Sequence, residues 1–170
     1  LSAEYVEIVR KVHIRLGYVK CKWVVENRAR ILESQEQDML LQEVKAVLER
    51  GAVVSNRAST LAKLCRLEDE MVVKREWEEV NRVDDREKEC DWVILLGRGD
   101  SSKAMKEELM TQAHLDTGHG GIGLTTTKLK RRVCWIGMIR DVKTGLLACS
   151  VCRQRRENEV VTWCTGKVRL

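Results

Sequence analysis

Four residues of this chain could do metal chemistry together: His114 and His119, then Cys149 and Cys152, in the pattern H-x4-H-x29-C-x2-C. Two imidazoles and two thiolates in close-spaced pairs are a donor set that closes a tetrahedral zinc site. The C-x-x-C brings both sulfurs to one ion at Zn–S distances of about 2.3 Å. His114 and His119 are five apart, one step beyond the spacing that aligns side chains on a helix face. The helix bearing His114 is therefore expected to end near Asp116 or Thr117, with Gly118 as its cap and His119 reaching back from the loop. Gly120, Gly121 and Gly123 let the backbone turn tightly around the ion.

Other chemistry fits less well. A C-x-x-C also suits a redox dithiol, but such pairs sit beside βαβ patterns, and none is visible here. A catalytic zinc keeps three protein ligands and an open position. Four ligands close the shell here, neither H-E-x-x-H nor H-x-E occurs, and Glu107 and Glu108 precede the first His by about two turns. Hydrolysis at the metal is not the expected role. The third histidine, His13, has no His or Cys partner nearby and reads as a helix residue. Cys21, Cys65, Cys90, Cys134 and Cys164 read as core or incidental thiols. Seven Cys in a chain with no visible signal peptide argue for thiols and metal rather than disulfides.

The elements that must position these ligands follow from periodicity and caps. Residues 3–33 read as helix, with Tyr5, Ile8, Val9, Val12 and Leu16 at helical spacing and a possible break at Gly17. Met39–Arg50 reads as a second helix stopped by Gly51, with Met39, Leu40, Val44, Val47 and Leu48 on one stripe. Ala52–Asn56 reads as loop and Leu61–Leu67 as a short third helix. Met71–Lys74 and Trp92–Leu96 read as strands of a hairpin or small sheet, with Asp84 and Asp85 near the turn. Helix through 68–90 competes, because Glu, Lys and Arg favour it. The GRGD at 97–100 reads as linker and turn. Asp100, Ser101 and Ser102 open the first helix of the C-terminal module, with Ser101 or Ser102 as cap, Glu107 and Glu108 complementing the dipole, and Leu109, Met110 and Ala113 inward. A second helix starts near Thr125 with Leu129 and Val133 inward, and Trp135 packs under a turn at Gly137. A third runs from Met138 to about Leu147, with Val142, Leu146 and Leu147 inward, and delivers the cysteines. The expected fold is mainly α with a small β element, ending in a zinc-stapled three-helix module of helix-turn-helix flavour. A unit below about 60 residues needs such a staple.

Charge is unevenly spread. The chain is +5 overall. From Gly120 to Arg156, nine cations (Lys128, Lys130, Arg131, Arg132, Arg140, Lys143, Arg153, Arg155, Arg156) face only Asp141, giving +9 − 1 = +8, so the remainder is +5 − 8 = −3. Such a cluster is the footprint of a phosphate-backbone binder; a solvated helix face is the alternative. No apolar run is long enough to span a membrane. The chain contains no Pro and no Phe, so its core must come from Leu, Val, Ile, Met and Trp.

The stretch EELMTQAHLDTGHGGIGLTTTKLKRRVCWIGMIRDVKTGLLACSVCRQRR resembles the H2C2 zinc-binding N-terminal domain of retroviral and gypsy-type retrotransposon integrases. The resemblance is carried by His114, Gly118-His119-Gly120-Gly121, Thr125 to Leu129, Trp135 with Gly137-Met138, Asp141-Val142, and Cys149-Ser150-Val151-Cys152. Ile136 replaces a family Pro and Cys134 an aromatic. A weaker resemblance reaches upstream to about Leu32, to the segment between ribonuclease H and integrase in such elements.

This resemblance implies Zn2+ on His114, His119, Cys149 and Cys152, DNA contact through the nine cations, self-association, and a nuclear location. It implies no small-molecule substrate. Catalysis in the family belongs to a separate carboxylate core; only 18 residues follow Cys152, against about 100 for a domain, so this chain is expected to be non-enzymatic. The expected organisation is an N-terminal helical region at 1–67, a strand region and linker at 68–100, the zinc module at 101–156, and a basic tail at 157–170. Two alternatives stand beside it: a domesticated host protein using the module as a protein–protein adaptor, and a decayed reading frame.

Overall fold

The computed structural model describes residues 22–76 and 91–156. The expected helix before residue 22, the Asp84-Asp85 turn, and His13, Cys21, Cys90 and Cys164 lie outside them, as does the tail. The described chain is mainly helical with one small sheet. In order it runs α1 (Lys22–Glu36), α2 (Met39–Arg50), α3 (Asn56–Ala62), β1 (Cys65–Glu68), β2 (Met71–Glu76), β3 (Asp91–Leu95), α4 (Asp100–Asp116), α5 (Ile122–Lys130), β4 (Val133–Cys134) and α6 (Met138–Ala148). A short further helix, α7, occupies 150–156. The described residues fall into two compact units: 22–76 and 91–103 with 130–136, and 104–129 with 137–156.

The first unit is built on a sheet of order β1-β2-β3-β4, antiparallel except for the parallel β3–β4 pair. Helices α1 and α2 pack against β2, and α3 packs on α2 and β1. The buried core is aliphatic: Ile31, Leu41, Val44, Met71, Val72, Val73, Val93, Ile94 and Leu96. Helix α2 has the expected bounds. Asp38 caps its start by accepting from the Leu40 N–H, and Gly51 ends it at φ 63°, a left-handed conformation that favours Gly.

Four expectations are corrected in this unit. Met39 does not join the buried stripe of α2; it is 81% exposed, and Leu41 is buried instead. The third helix lies earlier than Leu61–Leu67, because Ser55 accepts from the Ala58 N–H and starts it at Asn56. Residues 65–67 are strand, paired with 72–74. They join a hairpin whose two turn residues, Asp69 and Glu70, have φ 49° and 66°, the twist that suits a two-residue hairpin turn. Arg28 donates to the Asp69 carboxylate and carbonyl and to Glu70, which holds that turn. Finally, Gly97 is not a solvated linker. It is buried, and its N–H donates to Ser34 Oγ.

Buried polar groups tie α1 and α2 to the sheet. The Gln35 amide donates to the carbonyls of Val72 (2.9 Å) and Leu95 (2.7 Å) and accepts from the Val72 N–H (2.9 Å). It completes the β2–β3 ladder one step beyond the Val73↔Ile94 pair. Asp38, besides capping α2, accepts from the Arg98 backbone N–H at 2.7 Å and from its guanidinium at 3.0 and 2.9 Å. Burial pushes the Asp38 carboxyl up, but the Arg98 hydrogen bonds and charge and the Leu40 N–H outweigh it, leaving a net lowering.

The second unit contains α4 beyond residue 103, α5, α6 and α7. Met105, Leu109, Ala113, Leu129, Met138 and Val142 are buried, and α6 passes α4 where Gly145 faces Met110. Helix α4 starts at Asp100 as expected, but Ser102 lies inside it and donates to the carbonyls of Gly97 and Gly99 rather than capping. Glu107 and Glu108 sit two turns in, beyond the dipole's reach. Helix α5 starts at Ile122, not Thr125, and Val133 is on β4, paired with Ile94. Leu147 is not inward; it is 54% exposed.

Two predictions follow from the polar clamp. An alanine Cβ at Gly97 would lie 1.7 Å from the Ser34 carbonyl oxygen, a backbone atom that cannot swing away. Gly97→Ala is expected to lose about 3 kcal/mol or more in urea unfolding. Asp38→Asn is expected to destabilise at neutral pH. Because the folded carboxyl is lowered, the wild-type advantage is present above the unfolded value of 3.8 and disappears as pH falls through the folded value. Unfolding midpoints measured from pH 7 downward should converge for the two proteins; a constant gap would refute the assignment.

Candidate metal centre

The end of α4 sets the first two donors. The Gly118 N–H bonds to the Leu115 carbonyl and the His119 N–H to the His114 carbonyl, both at 2.9 Å. This pair of bonds, with Gly118 left-handed at φ 63°, is a Schellman closure. It explains the five-residue spacing: His114 and His119 are joined backbone to backbone across the helix end. His119 itself takes φ 61°, which costs a non-glycine residue about 1–2 kcal/mol. Thr117 Oγ1 donates to the carbonyls of Ala113 and His114 and tightens the same turn.

The cysteines sit at a helix junction. Cys149 ends α6 in an extended conformation, and its carbonyl accepts from the Arg153 N–H at 3.0 Å, which starts α7. Its sulfur faces the first turn of α7. The Cys149 thiol is lowered, first by the Cys152 backbone N–H and further by the Cys152 side chain, the Val151 N–H and the charge of Arg155, against burial. Cys152 is raised, first by burial and then by Cys149, with Arg155 and Arg156 opposing. The two thiols are thus pushed in opposite directions, the lowered one lying at a helix N-terminus as such positions favour.

The four side chains converge. Their donor atoms all lie within 4.8 Å of one another. His114 Nε2 is 3.1 Å from His119 Nδ1 and 3.3 Å from Cys152 Sγ. His119 Nδ1 is 3.4 Å from Cys149 Sγ and 3.9 Å from Cys152 Sγ. A tetrahedron with bonds of about 2.0–2.3 Å has edges of about 3.3–3.8 Å, so the cage has the dimensions of one four-coordinate ion. His114 Nδ1 lies 3.1 Å from the Gly120 carbonyl. Donation there leaves Nε2 as a bare acceptor facing the cage, an outer contact typical of metal-bound histidines. Gly120 is needed for this approach: a Cβ there would lie 2.9 Å from Thr117 Oγ1 and 3.1 Å from Leu124 Cβ.

The nine cations are all exposed, but they do not form one group. Lys130, Arg131 and Arg132 belong to the sheet-bearing unit, and the other six to the metal-bearing unit. The Arg132 guanidinium lies 5.8 Å from the Trp23 ring centre, and Arg140 pairs with Asp141 at 3.5 Å. Lys143, Arg155 and Arg156 line a cleft beside His119 and Cys152. The remaining described thiols are elsewhere. Cys65 and Cys134 are buried in the sheet, and burial pushes Cys65 up to about 11 despite Lys74. Sequence reasoning missed the roles of the Gly120 carbonyl and of Thr117, though the G-H-G-G run pointed to a crowded turn. It also missed the cleft, which no local pattern marks.

A His2Cys2 cage at the end of a small helical unit defines a module that could be stapled by a metal ion. Residues 101–158 match the family model of the integrase zinc binding domain, which is a non-catalytic zinc-binding domain. That match covers a minority of the chain. No curated protein and no solved structure matches the chain significantly. Among the described residues no helix is long and apolar enough to cross a membrane.

The geometry of the turn is testable. Nothing lies within 4 Å of a Cβ added at Gly118, so Gly118→Ala has only the left-handed backbone to contend with. About 1 kcal/mol of strain should weaken zinc binding by about fivefold with one ion per chain retained, read by chelator competition.

Proposed function

We propose that the chain binds one structural Zn2+ through His114, His119, Cys149 and Cys152, and serves as the DNA- and self-associating module of an integrase-type protein acting in the nucleus. The observation that carries this reading is the cage, whose edges suit zinc. Two nitrogens and two sulfurs form the soft, closed set that structural zinc takes. Zinc would hold both helix ends together and contribute folding energy, and the residues around it present no general base.

DNA contact is supported by the nine exposed cations and by the matched family; self-association is supported by the family alone. The adaptor reading has its own support in the apolar residues left exposed on the metal-bearing unit, Ile122 and Leu147 among them.

The test has two parts. Purified chain should carry one zinc, and chelator or His119→Ala should remove helix seen by circular dichroism. Neutralising Lys130, Arg131 and Arg132 together should weaken duplex binding and flatten the plot of log affinity against log salt by about 2.7, if each meets one phosphate. Absence of zinc would sink the metal reading, and an unchanged salt slope would sink the DNA reading for these three residues.

A further inference from the structure

The metal-bearing unit carries a cleft of about 500 Å³, within the range of about 300–1,000 Å³ of ligand-binding sites. Its apolar side is Ile122, Leu146 and Leu147, and its charged side is Lys143, Arg155 and Arg156. Among the described residues no lining side chain is a carboxylate. Ile122 is 37% exposed and Leu147 54% exposed, while Leu146 is half-buried. Helices α5, α6 and α7 each supply part of it, so its shape depends on the packed unit rather than on one mobile side chain.

This combination separates two kinds of anionic partner. A phosphate backbone pairs with cations but offers only small sugar C–H surfaces, not large side chains, to Ile122, Leu146 and Leu147. A peptide that alternates carboxylates with large apolar side chains uses both sides of the cleft at once. Three cations with no carboxylate among the described lining residues favour that charge pattern and disfavour a basic or neutral segment. We propose that this cleft docks an acidic peptide segment of a partner protein, which seats one or two large apolar side chains on Ile122, Leu146 and Leu147 and pairs its carboxylates with Lys143, Arg155 and Arg156. The proposal rests on the adaptor reading of this unit and names its partner chemistry. It assigns these three cations to a protein rather than to a duplex.

Zinc-loaded full-length chain, panned against phage-displayed random dodecapeptides at physiological salt, tests it. Peptides rich in Asp and Glu and carrying Leu, Ile, Phe or Trp should enrich. A synthetic copy of the strongest should lose at least tenfold in affinity to Leu147→Ala and to Lys143→Glu, and a copy with its apolar residues changed to Ala should lose as much to the wild type. Both variants lie on the exposed surface, and their zinc content and circular dichroism should match the wild type. No such enrichment, equal binding to both variants, or full displacement of the peptide by polyglutamate or by a short duplex at equal concentration would overturn the proposal. Zinc is measured on the same samples. A zinc-free chain that still enriches these peptides sinks the metal reading and keeps the docking site; a zinc-loaded chain that enriches none does the reverse.

Discussion

The hydrogen bond from the His119 N–H to the His114 carbonyl is the constraint on which the metal-bearing unit depends. It closes α4 in the only way that turns a residue five positions on back toward the helix axis. Without it His119 would leave the helix end and carry its imidazole away. With it, two of the four donors are fixed by backbone geometry before any ion arrives. Gly118 makes the closure cheap, and the strain at His119 is held by Thr117 and by the crowding around Gly120. The other two donors come from a second backbone device, a cysteine that both ends α6 and starts α7. The site is therefore made of two helix junctions facing each other, each specified locally. A metal ion held by all four donors would join them.

The sheet-bearing unit solves a similar problem without a metal. Its two helices meet the sheet through Gln35, Asp38 and Ser34, each buried and each fully engaged. A buried amide or carboxylate is costly unless paired, so these residues fix one register where an aliphatic core alone would tolerate several. Gln35 reads both β2 and β3, and Asp38 reads both the start of α2 and the chain after β3. With no Phe in the chain, the core is mostly aliphatic, with Met71 and Trp135 beside Val, Ile and Leu, and this polar clamp adds directional contacts to it.

What the sequence made legible was what local rules decide. The bounds of α2 follow from Asp38 and Gly51, and the end of α4 from Gly118. The ligand set follows from residue type and spacing alone. The errors arose where a distant neighbour decides. Residues 65–67 have enough helix propensity to read as helix, but pairing with 72–74 makes them strand, and the Asp69-Glu70 turn lacks the glycine that usually marks a hairpin. Gly97 looked like linker because its reason, Ser34, is 63 residues away. Met39 was placed on the stripe although it is the first residue of its helix, where the face is not yet closed by neighbours. Val133 fits the helical period of α5, yet the backbone needs of β3 draw it into a parallel strand.

That last displacement bears on how the basic segment works. Lys130, Arg131 and Arg132 lead into β4, and the Arg132 carbonyl accepts from the Ile94 N–H at 3.2 Å. Their backbone is thus held by the sheet, while their side chains stay in solvent. Lys143, Arg155 and Arg156 are held instead by helices whose positions depend on the cage. Removing the metal should therefore not affect the nine cations equally. In the cage itself, His114 Nε2 and His119 Nδ1 stand 3.1 Å apart, with His114 Nδ1 turned to the Gly120 carbonyl. At that distance His119 Nδ1–H can donate to His114 Nε2, so the two rings hold each other in place. Each donor is pre-placed around one point. On the proposed zinc reading, the cations of α6 and α7 would depend on an ion that none of them ligates, whereas those beside β4 would not.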